Sequence, residues 1–143
     1  MATKILKIKK QLAKELKTYK MDRYNSRMFL LGANSKGIIS HMIYIPRNGG
    51  CNERQAVNSK TLTATVMRLY QKNLNPVGIF MIPSREVREY YYSNESIIQH
   101  VKDNLYFLRY ENKGSVMMTV LDDEIYAVYS DNHKWKSFKI KEV

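Results

Sequence analysis

Cysteine is nearly absent from this chain of 143 residues. Cys51 is the only one, so an intrachain disulfide is excluded, and a reducing compartment such as the cytoplasm is the simplest expectation. Long apolar runs are missing as well, because no stretch approaches the roughly 20 residues that a membrane-spanning helix needs. We also find no signal-peptide pattern, since no apolar segment follows the first basic residues. The sequence therefore predicts a cytoplasmic protein that does not associate with a membrane.

Histidine is scarce too, and His41, His100 and His133 stand far apart in the sequence. No two of them have the spacing of a local metal-ligand motif, and no glycine-rich phosphate-binding motif occurs. The acidic triplet at 122–124 lacks the alternating pattern of a calcium loop and is typical of a turn. A nucleophilic role for Cys51 needs a nearby base, which the sequence does not identify. The sequence thus predicts no catalytic residue, no metal and no cofactor.

Acidic residues are outnumbered, with 13 Asp and Glu against 24 Lys and Arg, which gives a net charge of +11. A domain this basic attracts polyanions and acidic proteins. We predict a basic helix within residues 1–20, and its basic surface comprises Lys7, Lys10, Lys14, Lys17 and Lys20. A second basic strand face is expected near the C-terminus, at Lys134, Lys136, Lys139 and Lys141. Two interpretations stay open. In the first, the lysines form an ordinary solvated surface of a lysine-rich protein, as expected from the AT-rich genome of a phage or mobile element. In the second, they form a surface that binds nucleic acid or an acidic partner.

The hydrophobic pattern predicts one domain over residues 1–143, of α+β class, with a mixed sheet and two to three flanking helices. Helices are expected at 9–20, 59–73 and 95–103. Strands are expected at 28–32, 38–45, 77–82, 105–110, 115–121, 125–129 and 135–141, and residues 3–8 fit either a strand or the lead-in to the first helix. The last four strands are expected to form two hairpins within 105–143. Because the strand at 77–82 is apolar throughout, we expect it to be buried on both faces.

The segment Asn75–Pro83 is the most distinctive in the chain, since a predicted buried strand there runs into a loop. It contains Val77-Gly78-Ile79-Phe80, and an earlier strand reads Asn25-Ser26-Arg27-Met28-Phe29-Leu30-Leu31-Gly32. These segments, with the order of the predicted elements over roughly residues 5–140, resemble the JAB/MPN domain, the fold of JAMM-type zinc isopeptidases. The resemblance implies a JAB/MPN-like single domain.

The same resemblance implies a site that has lost its chemistry. The family's catalytic glutamate corresponds to Asn25, its two ligand histidines to Met81 and Ile82 or a gap, and its serine and ligand aspartate to Ser93 and Ser96. Met and Ile have no imidazole nitrogen, and Asn is no general base for a zinc-bound water. The resemblance therefore implies a pseudoenzyme that acts as a scaffold or binding module, often by pairing with another MPN domain, so that a homo- or hetero-oligomer is left open.

A charged, tyrosine-rich loop follows the central strand and includes Arg85, Arg88, Tyr90, Tyr91 and Tyr92. Arg and Tyr are preferred anchors of protein interfaces, although Arg also contacts phosphate, Tyr also stacks on bases, and tyrosines also pack into cores. The leading functional hypothesis is a non-catalytic MPN-like domain whose macromolecular partner is another protein, which it binds through these five residues. The alternative is a basic protein that holds RNA or DNA mainly by phosphate contacts. A further alternative is a hydrolase with an unrecognised site.

Overall fold

The computed structural model describes residues 4–20, 27–45, 59–85, 95–96, 99, 116–131 and 134–143. About half of these residues lie in strands. The elements, in chain order, are β1 (Ile5–Ile8), α1 (Lys10–Thr18), β2 (Arg27–Ala33), β3 (Ile39–Ile45), α2 (Ser59–Gln71), β4 (Asn75–Ile82), β5 (Val116–Leu121), β6 (Glu124–Asp131), β7 (Lys134–Ser137) and β8 (Lys139–Glu142). Within this part of the chain, no helix has both the length and the apolar character to cross a membrane.

The strands form one mixed sheet in the order β7-β6-β5-β4-β2-β3-β1-β8. Its two edge strands, β7 and β8, are consecutive in the chain and are separated only by Phe138. The N–H of Phe138 donates to the Ala127 carbonyl of β6, and the next N–H, that of Lys139, donates to the Lys4 carbonyl beside β1, both at 2.9 Å. The C-terminal strand therefore changes partner at Phe138 and joins the two sides of the sheet into a nearly closed barrel.

The expected α+β class, with a JAB/MPN-like sheet between flanking helices, is wrong. The observed fold is a nearly closed eight-stranded barrel with two short helices. The prediction failed because it treated residues 135–141 as one strand of a local hairpin. The N-terminal half of that segment does pair antiparallel with β6, but the other half pairs parallel with β1, from the opposite end of the chain.

Two apolar layers explain why the central strands are buried on both faces. The inner layer takes residues from β1 through β6 and buries Leu12, Ala13 and Leu16 of α1 against them. The outer layer lies under α2, whose Leu69 packs with alternate residues of β2, β3 and β4. In β4, Phe80 belongs to the inner layer and Met81 to the outer one. The prediction that this strand is buried on both faces is confirmed.

The turn between two strands that are adjacent in the sequence agrees with the sequence prediction. The predicted hairpin at 28–45 is confirmed, because β2 and β3 pair antiparallel. In its turn, the Asn34 side-chain oxygen accepts hydrogen bonds from the N–H groups of Lys36 and Ile38, at 3.0 and 3.2 Å. Gly37 has a φ of 76°, a conformation that glycine adopts without steric cost.

The C-terminus of α2 ends in a Schellman motif. The N–H of Leu74 donates to the Leu69 carbonyl and that of Asn73 to the Tyr70 carbonyl, both at 3.0 Å. Asn73 has a φ of 58°, and asparagine is one of the few residues with a side chain that adopts this region readily. Leu74 and Leu69 are both buried in the outer layer, so the motif turns the chain directly into β4.

Candidate functional site

Six exposed lysines come from three neighbouring elements at the seam of the barrel. They are Lys7 of β1, Lys10, Lys14 and Lys17 of α1, and Lys139 and Lys141 of β8, and together they are called the lysine surface here. The two elements that carry Lys7 and Lys141 belong to opposite ends of the chain. The basic N-terminal region and the basic C-terminal strand, which are separate groups in the sequence, thus meet at the seam in the fold.

The pairing register of β1 and β8 determines where the lysines of these two strands lie. β1 and β8 pair in parallel, with Lys7 opposite Lys141 and Ile5 opposite Lys139. Side chains alternate along a strand, and Leu6 and Ile8 belong to the inner layer, so Lys7 points outward with Ile5. The main-chain bond from the Val143 N–H to the Ile8 carbonyl, at 2.9 Å, completes the pairing.

Helix α1 is attached to the same seam by its first residues. The N–H of Lys10 donates to the Val143 carbonyl at 3.0 Å, and the N–H of Lys9 donates to the Ile39 carbonyl at 2.9 Å. Lys10, Lys14 and Lys17 follow helical spacing, so they form a stripe along one flank of α1. Lys17 Nζ lies 3.8 Å from Glu142 Oε1 of β8, which places this flank next to β8. Because side chains alternate along β8, Glu142 lies on the opposite side of the sheet from Lys141. The lysine stripe of the helix therefore adjoins the seam from the inner side, whereas the strand lysines face outward.

The electrostatics of the lysine surface are unfavourable to the isolated fold. Like charges at opposed positions on adjacent strands destabilise a sheet, and Lys7 stands opposite Lys141. The ion pair of Lys17 with Glu142 is exposed, at 36% and 43% of the two side chains, and such pairs contribute little. The surface thus carries an uncompensated positive field of the kind that attracts polyanions.

The fifth predicted lysine, Lys20, lies at a cleft of about 500 Å³, called the end cleft here. The cleft lies beside the end of β4, where the β5–β6 turn and the C-terminal part of α1 also come together. Among the described residues, its lining is Leu16, Lys17, Tyr19, Lys20, Phe80, Ile82, Arg85, Val120, Asp122 and Asp123. Arg27 supports this wall, because its guanidinium donates to the Lys20 carbonyl and lies 5.5 Å from the centre of the Tyr19 ring. Lys17 belongs to both the lysine surface and the end cleft.

The predicted site residues that the structure describes lie in three different places. Arg85, from the predicted partner-binding loop, lies at the end cleft with Ile82, while Met81 is only 1% exposed and packs in the outer layer. Ser96 is half-buried in a helical stretch whose neighbours Glu95 and Gln99 line a second cleft beside β6. The interpretation of 81 and 82 as a former zinc site depended on a fold that the barrel replaces.

The remaining predicted positions lie outside the described residues. They are Asn25 and Ser93 of the inferred vestigial site, and Arg88, Tyr90, Tyr91 and Tyr92 of the predicted partner surface. The expected helix at 95–103 is described only at 95, 96 and 99, and the expected strand at 105–110 is not described. These expectations stay predictions.

Sequence reasoning missed the acidic side of the end cleft. Asp122 and Asp123 form the predicted turn, where both residues have left-handed backbones with φ values of 51° and 63°. This is the conformation of a two-residue hairpin turn, in which Asp is accepted. The turn was predictable from the triplet 122–124, but its position opposite Lys17 and Lys20 depends on tertiary packing. Among the described residues, no group of three or more His, Cys, Asp and Glu side chains is arranged to hold a metal ion.

Comparisons with known proteins give a fold and no family. No protein-family model matches the sequence, and no curated protein matches it. Among solved structures, the chain is similar to the solution structure of protein DSY2949 from Desulfitobacterium hafniense, a target of the Northeast Structural Genomics Consortium. The TM-score is 0.61 and the identity 11%, over 96% of this chain and 94% of that chain. At this identity the likeness concerns the fold alone, and the JAB/MPN resemblance is not tested by it.

Proposed function

We propose that this protein is a non-catalytic binding module that holds nucleic acid through its phosphate backbone. The observation that carries the proposal is the lysine surface, in which lysines from both ends of the chain converge at the barrel seam, with Lys7 and Lys141 opposed on its outward side. Lysine and arginine contacts to phosphates supply affinity without reading sequence. The net charge of +11 favours the approach of any polyanion, and the lysine surface gives that attraction a definite place.

The spacing of the lysines suits a linear polyanion. Lys139 and Lys141 are two residues apart on one strand, which corresponds to about 7 Å. Lys10 and Lys14 are about one helical turn apart, or roughly 6 Å. Both separations are close to that between successive phosphates on one nucleic acid strand. A single small anion needs only one or two of these side chains, whereas a phosphate chain engages several at once.

The like-charge contact at the seam supports the same proposal. Lys7 and Lys141 repel each other in the free protein, since they occupy opposed positions on paired strands. A bound phosphate between them turns that repulsion into two attractions. Part of the binding free energy then comes from relief of an unfavourable contact in the free state.

Protein binding through Arg85, Arg88 and Tyr90–Tyr92 remains a separate prediction. Of those residues only Arg85 is described, and it lies at the end cleft. The lysine surface, in contrast, lies wholly within the described residues. A cytoplasmic location belongs to the present proposal, since one cysteine in the whole chain is usual for proteins of a reducing compartment.

The test is a salt series with two matched double variants. One variant carries Lys7→Gln and Lys141→Gln in the lysine surface. The control carries Arg68→Gln and Lys72→Gln, which are exposed residues at the C-terminal end of α2 on the outer wall. Each variant loses two cations from a net charge of +11, so both have +9. A difference between them therefore reports position and not total charge.

Binding of labelled single- and double-stranded DNA and RNA is measured by fluorescence anisotropy at several salt concentrations. Each phosphate contact contributes about 0.7–0.9 to the slope of log K against log salt, which is close to eightfold in affinity near about 0.1 M salt. We expect Lys7→Gln with Lys141→Gln to lower the slope by about 1.4–1.8 and the affinity by up to roughly 60-fold. Equal effects of the two variants, or wild-type binding that does not depend on salt, refute the proposal.

A further inference from the structure

The end cleft presents three kinds of chemistry in a fixed arrangement. Its floor is apolar and includes side chains of Leu16, Ile82 and Val120. Its lining adds cations, Lys17, Lys20 and Arg85, and the two carboxylates of the β5–β6 turn. The volume of about 500 Å³ falls within the range of small-molecule sites in proteins.

These three features match three chemical groups of one nucleotide, namely its phosphate, the flat face of its base and an exocyclic amine on that base. A phosphate requires cations, which the cleft offers at Lys17 and Lys20. A base has a flat face that packs on an apolar floor. An exocyclic amine donates hydrogen bonds, and the carboxylates of Asp122 and Asp123 accept them. A free inorganic anion leaves the apolar floor unused, and a base within a duplex is stacked and cannot enter.

The cleft is also continuous with the proposed binding surface. Lys17 is the shared residue, since it lines the end cleft and belongs to the lysine stripe of α1. A strand whose phosphates follow Lys10 and Lys14 along the helix therefore reaches the mouth of the cleft at Lys17. The next nucleotide of that strand meets the apolar floor.

We propose that the end cleft takes one unstacked nucleotide of a single-stranded nucleic acid and prefers a base that carries an exocyclic amine. This inference rests on the proposed function, because the lysine surface delivers the strand to the cleft. It adds two properties that phosphate contacts alone do not give: a preference for single strands over duplexes, and discrimination between bases.

Cytosine and uracil provide the sharpest comparison, since both are pyrimidines that stack weakly and only cytosine carries an exocyclic amine, at C4. They also differ at N3, which accepts a hydrogen bond in cytosine and donates one in uracil. Short oligo(dC), oligo(dU) and a duplex of the same length are titrated against the full chain by fluorescence anisotropy. We expect oligo(dC) to bind about 5- to 10-fold more tightly than oligo(dU), and both to bind more tightly than the duplex.

Two variants with the same net charge separate recognition from general electrostatics. Asp123→Asn removes a carboxylate of the end cleft and keeps a residue type that accepts a positive φ. Glu15→Gln removes an exposed carboxylate from another flank of α1. Both changes take the net charge from +11 to +12. Glu15→Gln should raise the affinity for all ligands by the same factor, whereas Asp123→Asn should lower the ratio of oligo(dC) to oligo(dU) affinity, because one of the two accepting carboxylates becomes a weaker, neutral acceptor.

The failures of this inference and of the proposed function give different results. Salt-dependent binding with equal affinity for oligo(dC) and oligo(dU) overturns the nucleotide cleft alone. A base preference of unchanged size in Asp123→Asn also overturns it. Absence of salt-dependent binding to every oligonucleotide overturns the proposed function, and the cleft inference falls with it. Circular dichroism spectra and melting curves of both variants establish that each is folded.

Discussion

Gly78 is predicted to be the glycine of the barrel that tolerates a side chain least. A Cβ at this position would stand 2.0 Å from the Val116 carbonyl oxygen, and 2.7 and 2.8 Å from the Val116 carbonyl carbon and nitrogen. All three atoms are main chain, and Gly78 and Val116 are paired neighbours on β4 and β5. Glycine within a strand often marks such a close approach of another backbone. The clash is therefore relieved only if the two strands separate.

The expected loss of stability follows from this separation of the two strands. Ordinary Cβ contacts begin near about 3.4 Å, so the strands must move apart by roughly 1.4 Å, which breaks hydrogen bonds at this point of the parallel ladder. Two lost bonds cost about 1–3 kcal/mol, and repacking of a filled core costs about 1–3 kcal/mol more. Alanine recovers about 0.5–1 kcal/mol through its lower backbone entropy in the unfolded chain. We expect Gly78→Ala to lower the free energy of unfolding by about 1–5 kcal/mol, with a central value of about 3 kcal/mol.

Gly32→Ala is the matched control in the same sheet. The nearest atom to a Cβ there is a methyl group of Leu69, at 2.8 Å, and the next is Leu74 Cβ, at 3.4 Å. The end of a leucine side chain moves aside more easily than a strand, so the net loss should stay at about 1 kcal/mol or less. Urea unfolding followed by circular dichroism compares the two midpoints. Equal losses in the two variants would refute the argument that backbone contact, and not burial, sets the constraint at Gly78.

Two further predictions concern the helix end and the seam. Asn73→Ala should destabilise the protein by about 1 kcal/mol, and Asn73→Gly should be neutral or mildly stabilising, because the Schellman motif holds this residue at a φ of 58°. The midpoints of urea unfolding measure both effects, and an equal loss of stability in the two variants would contradict the reasoning. Lys141→Gln should raise the free energy of unfolding by up to about 0.5 kcal/mol in low salt while it lowers nucleic acid affinity, because it removes the repulsion with Lys7. That gain should disappear in high salt, and a loss of stability at every salt concentration would show that the two lysines do not repel each other.

The sequence predicts correctly those parts of the fold that depend on patterns among residues close together in the chain. The apolar run at 77–82 predicts a strand buried on both faces, and the polar turn before Ile38 predicts a hairpin, and both are observed. The seam could not be predicted in this way. In residues 134–142 the apolar side chains change phase between Trp135 and Phe138, which is compatible with an irregularity in one hairpin strand, but no local signal indicates that the pairing changes there from β6 to β1. Parallel pairing between residues more than 130 positions apart is a tertiary event.

The same limit applies to the candidate site. The basic character of residues 7–20 and of residues 134–141 is plain in the sequence, but there the two groups are independent. Their union depends on the opposed positions of Lys7 and Lys141 across the seam. The end cleft depends on packing as well, since its cations come from Lys17 of α1, from Lys20 just beyond α1 and from Arg85 beyond β4, and its carboxylates from the β5–β6 turn.

The seam links the stability of the barrel to its proposed function. β8 is a short strand, and its pairing with β1 joins the two sides of the sheet beside the repelling pair of Lys7 and Lys141. A neutral residue at either position would strengthen that pairing, so the presence of both lysines lowers the stability of the free protein. A phosphate bound there removes this repulsion and stabilises the folded state by mass action. The barrel should therefore be hardest to unfold when its lysine surface is occupied, and the seam is the part of the fold on which that stabilisation acts.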